Sequence, residues 1–340
     1  MHKGLRSNDL RPFFCDLKFE VMMLQKLVIG LTSLLSLCAL PYIAHAQSTT
    51  SQKPGGSAIN RTWRVGAKIQ TSNVPISNMV VTFPVPTDWP EQQVNVYEEN
   101  IPKEATKADF RDSDGIRQMY AKFPRIDKGT AVEINVILDI RVFAIPYPDR
   151  TDHLVVPDRP PREVRLSLSP SPLIESRKRN IKNKAKELVE ESDVPWERAR
   201  KFYDFVTSEI AMEDNKVIGA EKTLKEKKGS PEDRSNLFIA LCRANKIPAR
   251  MVWADEAEYA EFYLQDESGN GRWYPAVLAG KKEFGQMTDP RVIIQKGDNI
   301  KVPEKSQRQR FVVEFVTGNV RGGRQPRVRF LRDVLPARDR

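Results

Sequence analysis

Cysteine and histidine are nearly absent from this 340-residue chain, which holds three of each. Cys15, Cys38, His2 and His45 all lie before residue 47, leaving only Cys242 and His153 beyond it. A single cysteine closes no internal disulfide, so that part of the chain depends on its core for stability. One cysteine and one histidine far apart also exclude a cysteine-and-histidine zinc cluster, and no cofactor is expected. His153, alone in a loop, is assigned no role. Long apolar runs are scarce as well. The longest, residues 27–40, falls short of the roughly 20 residues that span a bilayer. Lys26 precedes it and Ala44-His45-Ala46 follows, which is the pattern of a secretory leader cleaved after Ala46. Cys38 follows Leu37, where a lipoprotein would have a small residue. Residues 1–21 are polar and sit awkwardly ahead of such a leader, so Met22 or Met23 is the alternative start. The expectation is a secreted or periplasmic protein with no stable membrane span after cleavage.

Removing five basic and three acidic residues with the leader lowers the formal net charge from +10 to +8. Such a surface is ordinarily a solvated one. Its sharper reading is affinity for an anionic cell-surface polymer, with nucleic acid not expected after export. Residues 47–60 are polar and rich in Ser, Thr and Gly, the composition of a disordered tether. Residues 61–172 then alternate in short apolar runs around Trp63, Val80, Val96, Met119 and Ile137. Residues 163–169 add one more alternating run, and Asp-, Gly- and Pro-rich clusters lie between them. This predicts an antiparallel β-sandwich-like domain. From residue 173 the apolar period becomes helical, with stripes through Ile181, Ala185 and Leu188 and through Ala199, Phe202, Phe205 and Val206. The last residues, 319–340, read as a basic tail.

Residues 228–250 organise the second half. Gly229 ends one segment, Ser230 is a favoured N-cap, and Pro231 suits the first helical position. Glu232 and Asp233 place negative charge where the helix dipole wants it, and Asp233 can close a capping box. Such a start is worth about 1 kcal/mol. The pattern Gly229-x-x-x-Asp233, then Leu237-Phe238-x-Ala240-Leu241-x-Arg243-Ala244, then Ile247-Pro248-Ala249-Arg250, resembles the transglutaminase-like, papain-related core found in many exported bacterial proteins. Two following strands, around Tyr259 and around Trp273 and Tyr274, fit the same resemblance. It implies an α+β fold in which the sandwich precedes a core, residues 173–318, of helices packed on an antiparallel sheet.

The resemblance also implies a Cys-His-Asp triad: a cysteine opening the helix, a histidine starting the next strand, and an aspartate closing the one after. Carried onto this chain, those positions are Pro231, Ala257 and Val277, none of which can supply a nucleophile, base or charge. Cys242 is no substitute. It lies eleven positions beyond Pro231, about 16 Å along the axis at 1.5 Å per residue, in an apolar run. Ser230 lacks a base. Asp255, Glu256, Glu258 and Glu261 gather near the lost histidine position, more commonly an acidic hairpin end than an acid–base pair. The expectation is therefore a catalytically inactive scaffold or binding module of the cell envelope. It would hold a peptide, glycopeptide or protein in a relic cleft formed by Ser230, Asp233, Glu258, Tyr259, Glu261 and Trp273. The alternatives are a peptidase or amidase using Ser230 or the carboxylates Glu256 and Glu258, and a binder of anionic polymer.

Overall fold

The computed structural model describes residues 57–336 except Asp114, Asn215 and Glu256. The leader, its cleavage point, the alternative starts, most of the tether and Glu256 lie outside the described residues.

Six strands come first: β1 (Ala58–Gln70), β2 (Ile76–Val85), β3 (Gln92–Asn100), β4 (Lys107–Ser113), β5 (Ile116–Ile126) and β6 (Ala131–Phe143). Helices and short strands follow: α1 (Arg162–Leu166), α2 (Arg179–Glu187), α3 (Pro195–Glu209), β7 (Ala211–Met212), α4 (Ala220–Glu226), β8 (Lys228–Gly229) and α5 (Pro231–Ala244). The chain then runs through β9 (Ala249–Ala254), β10 (Ala257–Gln265), β11 (Gly271–Val277), β12 (Glu283–Phe284), β13 (Ile293–Lys296), β14 (Phe315–Val320) and β15 (Arg327–Leu335).

Two four-stranded antiparallel sheets, ordered β15-β1-β6-β3 and β14-β2-β5-β4, make a sandwich. Alternation along each strand sends Trp63, Val65, Ala67 and Ile69 of β1 and Ile134, Val136, Leu138 and Ile140 of β6 into the layer between the sheets. Met79, Val81 and Phe83 of β2 and Met119, Ala121 and Phe123 of β5 meet them from the other side. Gly66 lies where β1 and β6 cross closely: a Cβ there would sit 2.3 Å from the Ile134 carbonyl oxygen.

The second body packs helices α2–α5 on a five-stranded antiparallel sheet ordered β12-β11-β10-β9-β13. Its centre is α5, whose residues from Glu232 to Arg243 are all buried. Pro195 at the first turn starts α3, which delivers Trp196 into a nest of rings. Phe262, Tyr274 and Phe284 stand edge-on to Trp196 at 5.4, 5.2 and 5.1 Å between centroids, favourable aromatic geometry. Gly285, at φ +73°, turns tightly past the same indole, where a Cβ would come within 2.5 Å.

Four expectations are corrected. Residues 58–60 belong to β1, so the tether does not extend to residue 60. The alternating run at 163–169 forms the single-turn helix α1, from which Val164 is buried; so short a run carries either period. The core does not end at 318, because β14 spans that boundary and pairs with β2. The expected tail from 319 holds a strand instead, since β15 pairs with β1 across nine residue positions from Thr62↔Leu335 to Gln70↔Arg327. Between the bodies, the proline-rich stretch lies against the core, with Ile145 bridging to Met287 and Val155 to Gln265.

Candidate functional site

The start of α5 is built by its own residues. Ser230 accepts from the Asp233 N–H at 3.2 Å, and the Ser230 N–H donates to Asp233 Oδ2 at 3.1 Å, completing the capping box. The other carboxylate oxygen of Asp233 accepts from the N–H groups of Ile218 and Gly219 at 2.9 and 2.8 Å. Asp233 is fully buried and Ser230 nearly so. Both named cleft residues are thus committed to holding a helix start and the loop before α4. At the far end, Arg243 pairs with Asp298 at 2.8 Å while donating to the Ala249 and Ser169 carbonyls, which fixes where β9 begins.

Ala260 stands opposite Ala276 in the β10–β11 register, so the start of β10 and the end of β11 lie at the same edge of the sheet, beside the α5 N-terminus. There Pro231, Ala257 and Val277 wall a single cavity of about 220 Å³ together with Glu258 and Tyr259. Three separate elements, α5, β10 and β11, therefore bring the three positions singled out by the resemblance to one place. The rest of the wall comes from the segment after β11, the loops on either side of β12 with Glu283 of β12 itself: Ala279, Gly280, Lys281, Glu283, Met287, Asp289 and Arg291. Sequence reasoning missed these residues, which occupy a lysine-rich polar stretch with no motif to mark them.

The charges around this cavity are unequally satisfied. Glu283 is ion-paired with Lys281 at 3.4 Å and accepts from the Thr288 N–H at 2.9 Å and from the Thr288 hydroxyl. Burial pushes the Glu283 carboxyl up, but Thr288 and Lys281 outweigh it and hold it below the usual range. Arg291 stands 3.8 Å from Asp289 at the exposed rim. Glu258 makes no ion pair of this kind among the described residues. Its half-buried carboxyl is raised by desolvation and by nearby Glu232, against the pull of Arg310. Glu232 itself is raised by burial while contacting Arg310.

Glu261 and Trp273, also named for the cleft, lie elsewhere. Tyr259 and Glu261 of β10 lie on the sheet face opposite Ala260 and Phe262, which pack on the helices, because side chains alternate along a strand. Glu261 accepts from Arg250 Nε and Nη2 at 3.0 and 2.9 Å on one oxygen and from Lys296 Nζ at 2.7 Å on the other. Lys296 also contacts Glu91 of the sandwich. The Arg250 guanidinium lies 3.9 Å from the Trp273 ring, and Trp89 flanks both cations at 5.8 and 5.2 Å. Burial drives Glu261 upward, but Lys296 and Arg250 win and hold it below the usual range. Tyr259, buried beside this group, has no hydrogen-bond partner for its hydroxyl among the described residues, and burial lifts its phenol well above the ordinary value. Glu261 and Trp273 thus belong to an inter-body joint, a correction to the expected cleft.

The remaining nucleophile and base stand apart. Cys242 is completely buried within α5, and burial raises its thiol well above the ordinary value, so it stays protonated. His153 lies in the connecting stretch, 3.7 Å from Asp152 and outside the cavity wall. Among the described residues no cluster of three or more His, Cys, Asp or Glu side chains is arranged to hold a metal ion, and no helix is long and apolar enough to cross a membrane.

Residues 182–277, spanning α2 through β11, match the profile of the transglutaminase-like superfamily. That segment, a little over a quarter of the chain, is what resembles the superfamily. A candidate cysteine protease from Cytophaga hutchinsonii aligns at 15% identity with a TM-score of 0.48, covering 84% of this chain and 95% of its own. A candidate protease from Parabacteroides distasonis aligns at 14% identity with a TM-score of 0.25, covering 67% of this chain and 44% of its own. No curated protein matches. The transglutaminase-like segment contains α5, β9, β10 and β11, so Pro231, Ala257 and Val277 all fall inside it.

Proposed function

We propose that this is an exported cell-envelope protein whose transglutaminase-like domain has lost thiol chemistry and holds a peptide or glycopeptide segment without cleaving or cross-linking it. The observation that carries this reading is the meeting of Pro231, Ala257 and Val277 at one cavity of about 220 Å³. Proline, alanine and valine there leave space and apolar surface where an activated thiol would need a nucleophile, a base and its orienter. The cavity remains beside a helix start stabilised by its own capping box, so the shape persists without the reaction. It is large enough for one side chain of an extended segment, not for a folded partner. The leader-like residues before position 47 support the export part of this reading.

The test is a turnover screen of purified protein against peptide, amide and amine–glutamine cross-linking substrates, alongside binding measured by heat or by chemical-shift change. Binding without turnover is expected. Turnover abolished by Cys242→Ala would overturn the reading. A second possibility draws on the raised carboxyls of Glu232 and Glu258, which are electrostatically coupled beside the cavity. In a hydrolase built on them, Glu258→Gln would abolish a measurable peptidase or amidase activity.

A further inference from the structure

Resting on the reading of this cavity as a binding cleft, we propose that its ligand is a basic side chain, an ammonium or guanidinium carried on an aliphatic stem and received by Glu258. The argument is one of charge left over. Four other charged side chains line the wall, and each has an opposite charge nearby. Lys281 pairs with Glu283, and Arg291 with Asp289. Glu258 alone of the five makes no ion pair among the described residues. Arg310, whose charge acts on Glu258, is directed to Glu232 and does not line the cavity. A half-buried carboxylate without a counter-ion is costly to keep, and an incoming cation removes that cost. An anionic side chain would meet the opposite situation, since both lining cations are already engaged.

The apolar wall specifies the other half of the ligand. Pro231, Ala257, Val277, Ala279 and Met287 present carbon to the cavity, matching the methylene stem of a lysine or arginine rather than a short polar group. A small cavity with apolar walls and one placed charge is the usual form of a side-chain pocket. The acidic character comes from Glu258 on β10, a position on the α5 side of the sheet. That separates it from the sealed joint around Glu261 on the opposite face.

The experiment uses the tripeptide acetyl-Gly-Lys-Gly-amide and its counterparts with arginine, norleucine or glutamate in the middle, titrated into the intact protein by calorimetry. The lysine and arginine peptides are expected to bind at least about tenfold tighter than the norleucine peptide, the scale of one charge-assisted contact. Glu258→Gln is expected to bring them down to the norleucine affinity and leave norleucine unchanged. Equal binding of lysine and norleucine peptides by the unaltered protein, or a lysine preference that survives Glu258→Gln, overturns the proposal. If all four peptides bind alike, only the basic-side-chain assignment falls. If none binds, the binding-cleft reading falls with it. The comparison within the unaltered protein decides the matter even if the variant folds poorly.

Discussion

The joint between the two bodies offers a sharp test because its charges balance. Two carboxylates, Glu91 and Glu261, meet two cations, Lys296 and Arg250, and Lys296 and Glu261 are each about 1% exposed. Replacing Lys296 with Met removes one cation and leaves two carboxylates facing Arg250 alone. Removing one partner of a buried charge group costs about 3–5 kcal/mol. At roughly 2–4 °C per kcal/mol for domains of 150–250 residues, the unfolding midpoint should drop by about 6–20 °C. Adding Glu91→Gln to Lys296→Met leaves the Glu261–Arg250 pair balanced, so the double variant should recover part of the loss. The coupling energy between the two substitutions should exceed about 1 kcal/mol. Calorimetric and urea unfolding of the four proteins in that cycle measures it. A Lys296→Met loss below about 1 kcal/mol, or strict additivity with Glu91→Gln, would refute the idea that this cluster locks the bodies together.

Other outcomes follow from the same geometry. Trp196→Ala empties the aromatic nest under Gly285 and should cost about 3–5 kcal/mol in urea unfolding, against no more than about 0.5 kcal/mol for an exposed substitution such as Lys222→Ala. Cys242 should resist a thiol reagent in the native protein and react on unfolding. In Pro231→Cys a second thiol at the α5 N-terminus should react readily in the native state. Glu232 and Glu258 are raised in the folded protein, so each favours folding when protonated. Their contribution is full below the ordinary glutamate range and is lost as pH rises through the raised values. Glu258→Gln should therefore gain stability relative to the parent as pH rises across that window. Glu232 and Arg310 are the charges that act on Glu258, with Lys281, Glu283, Asp289 and Arg291 in the same wall, and a pH-independent difference would contradict the assignment.

Local features were legible in the sequence, and long-range ones were not. Ser230, Pro231 and Asp233 interact within a single helical turn, so residue type and spacing already specify the capping box. The strands β1, β2, β5 and β6 were readable because one face is buried and alternation survives intact. The joint was unreadable: Glu91 and Lys296 stand 205 positions apart, and each looks like a surface charge in its own neighbourhood. The same holds for Glu261, which seemed one of an acidic cluster until the strand's alternation placed it on the face opposite Glu258. β15 reads as a tail in the sequence because its pairing is carried by backbone groups, its three arginines are exposed, and Leu331 is the one apolar residue of the strand that is buried.

That pairing of β1 with β15 sets an order of events during folding. The chain begins one sheet with its first described strand and finishes the same sheet with its last, with the whole transglutaminase-like segment made in between. At about 5–20 residues per second, the edge of β1 that β15 will cover waits on the order of ten to forty seconds after β6 is made. During that interval an exposed strand edge is open to pairing with other chains. Until residues 327–335 pair with it, that sheet keeps one edge uncovered.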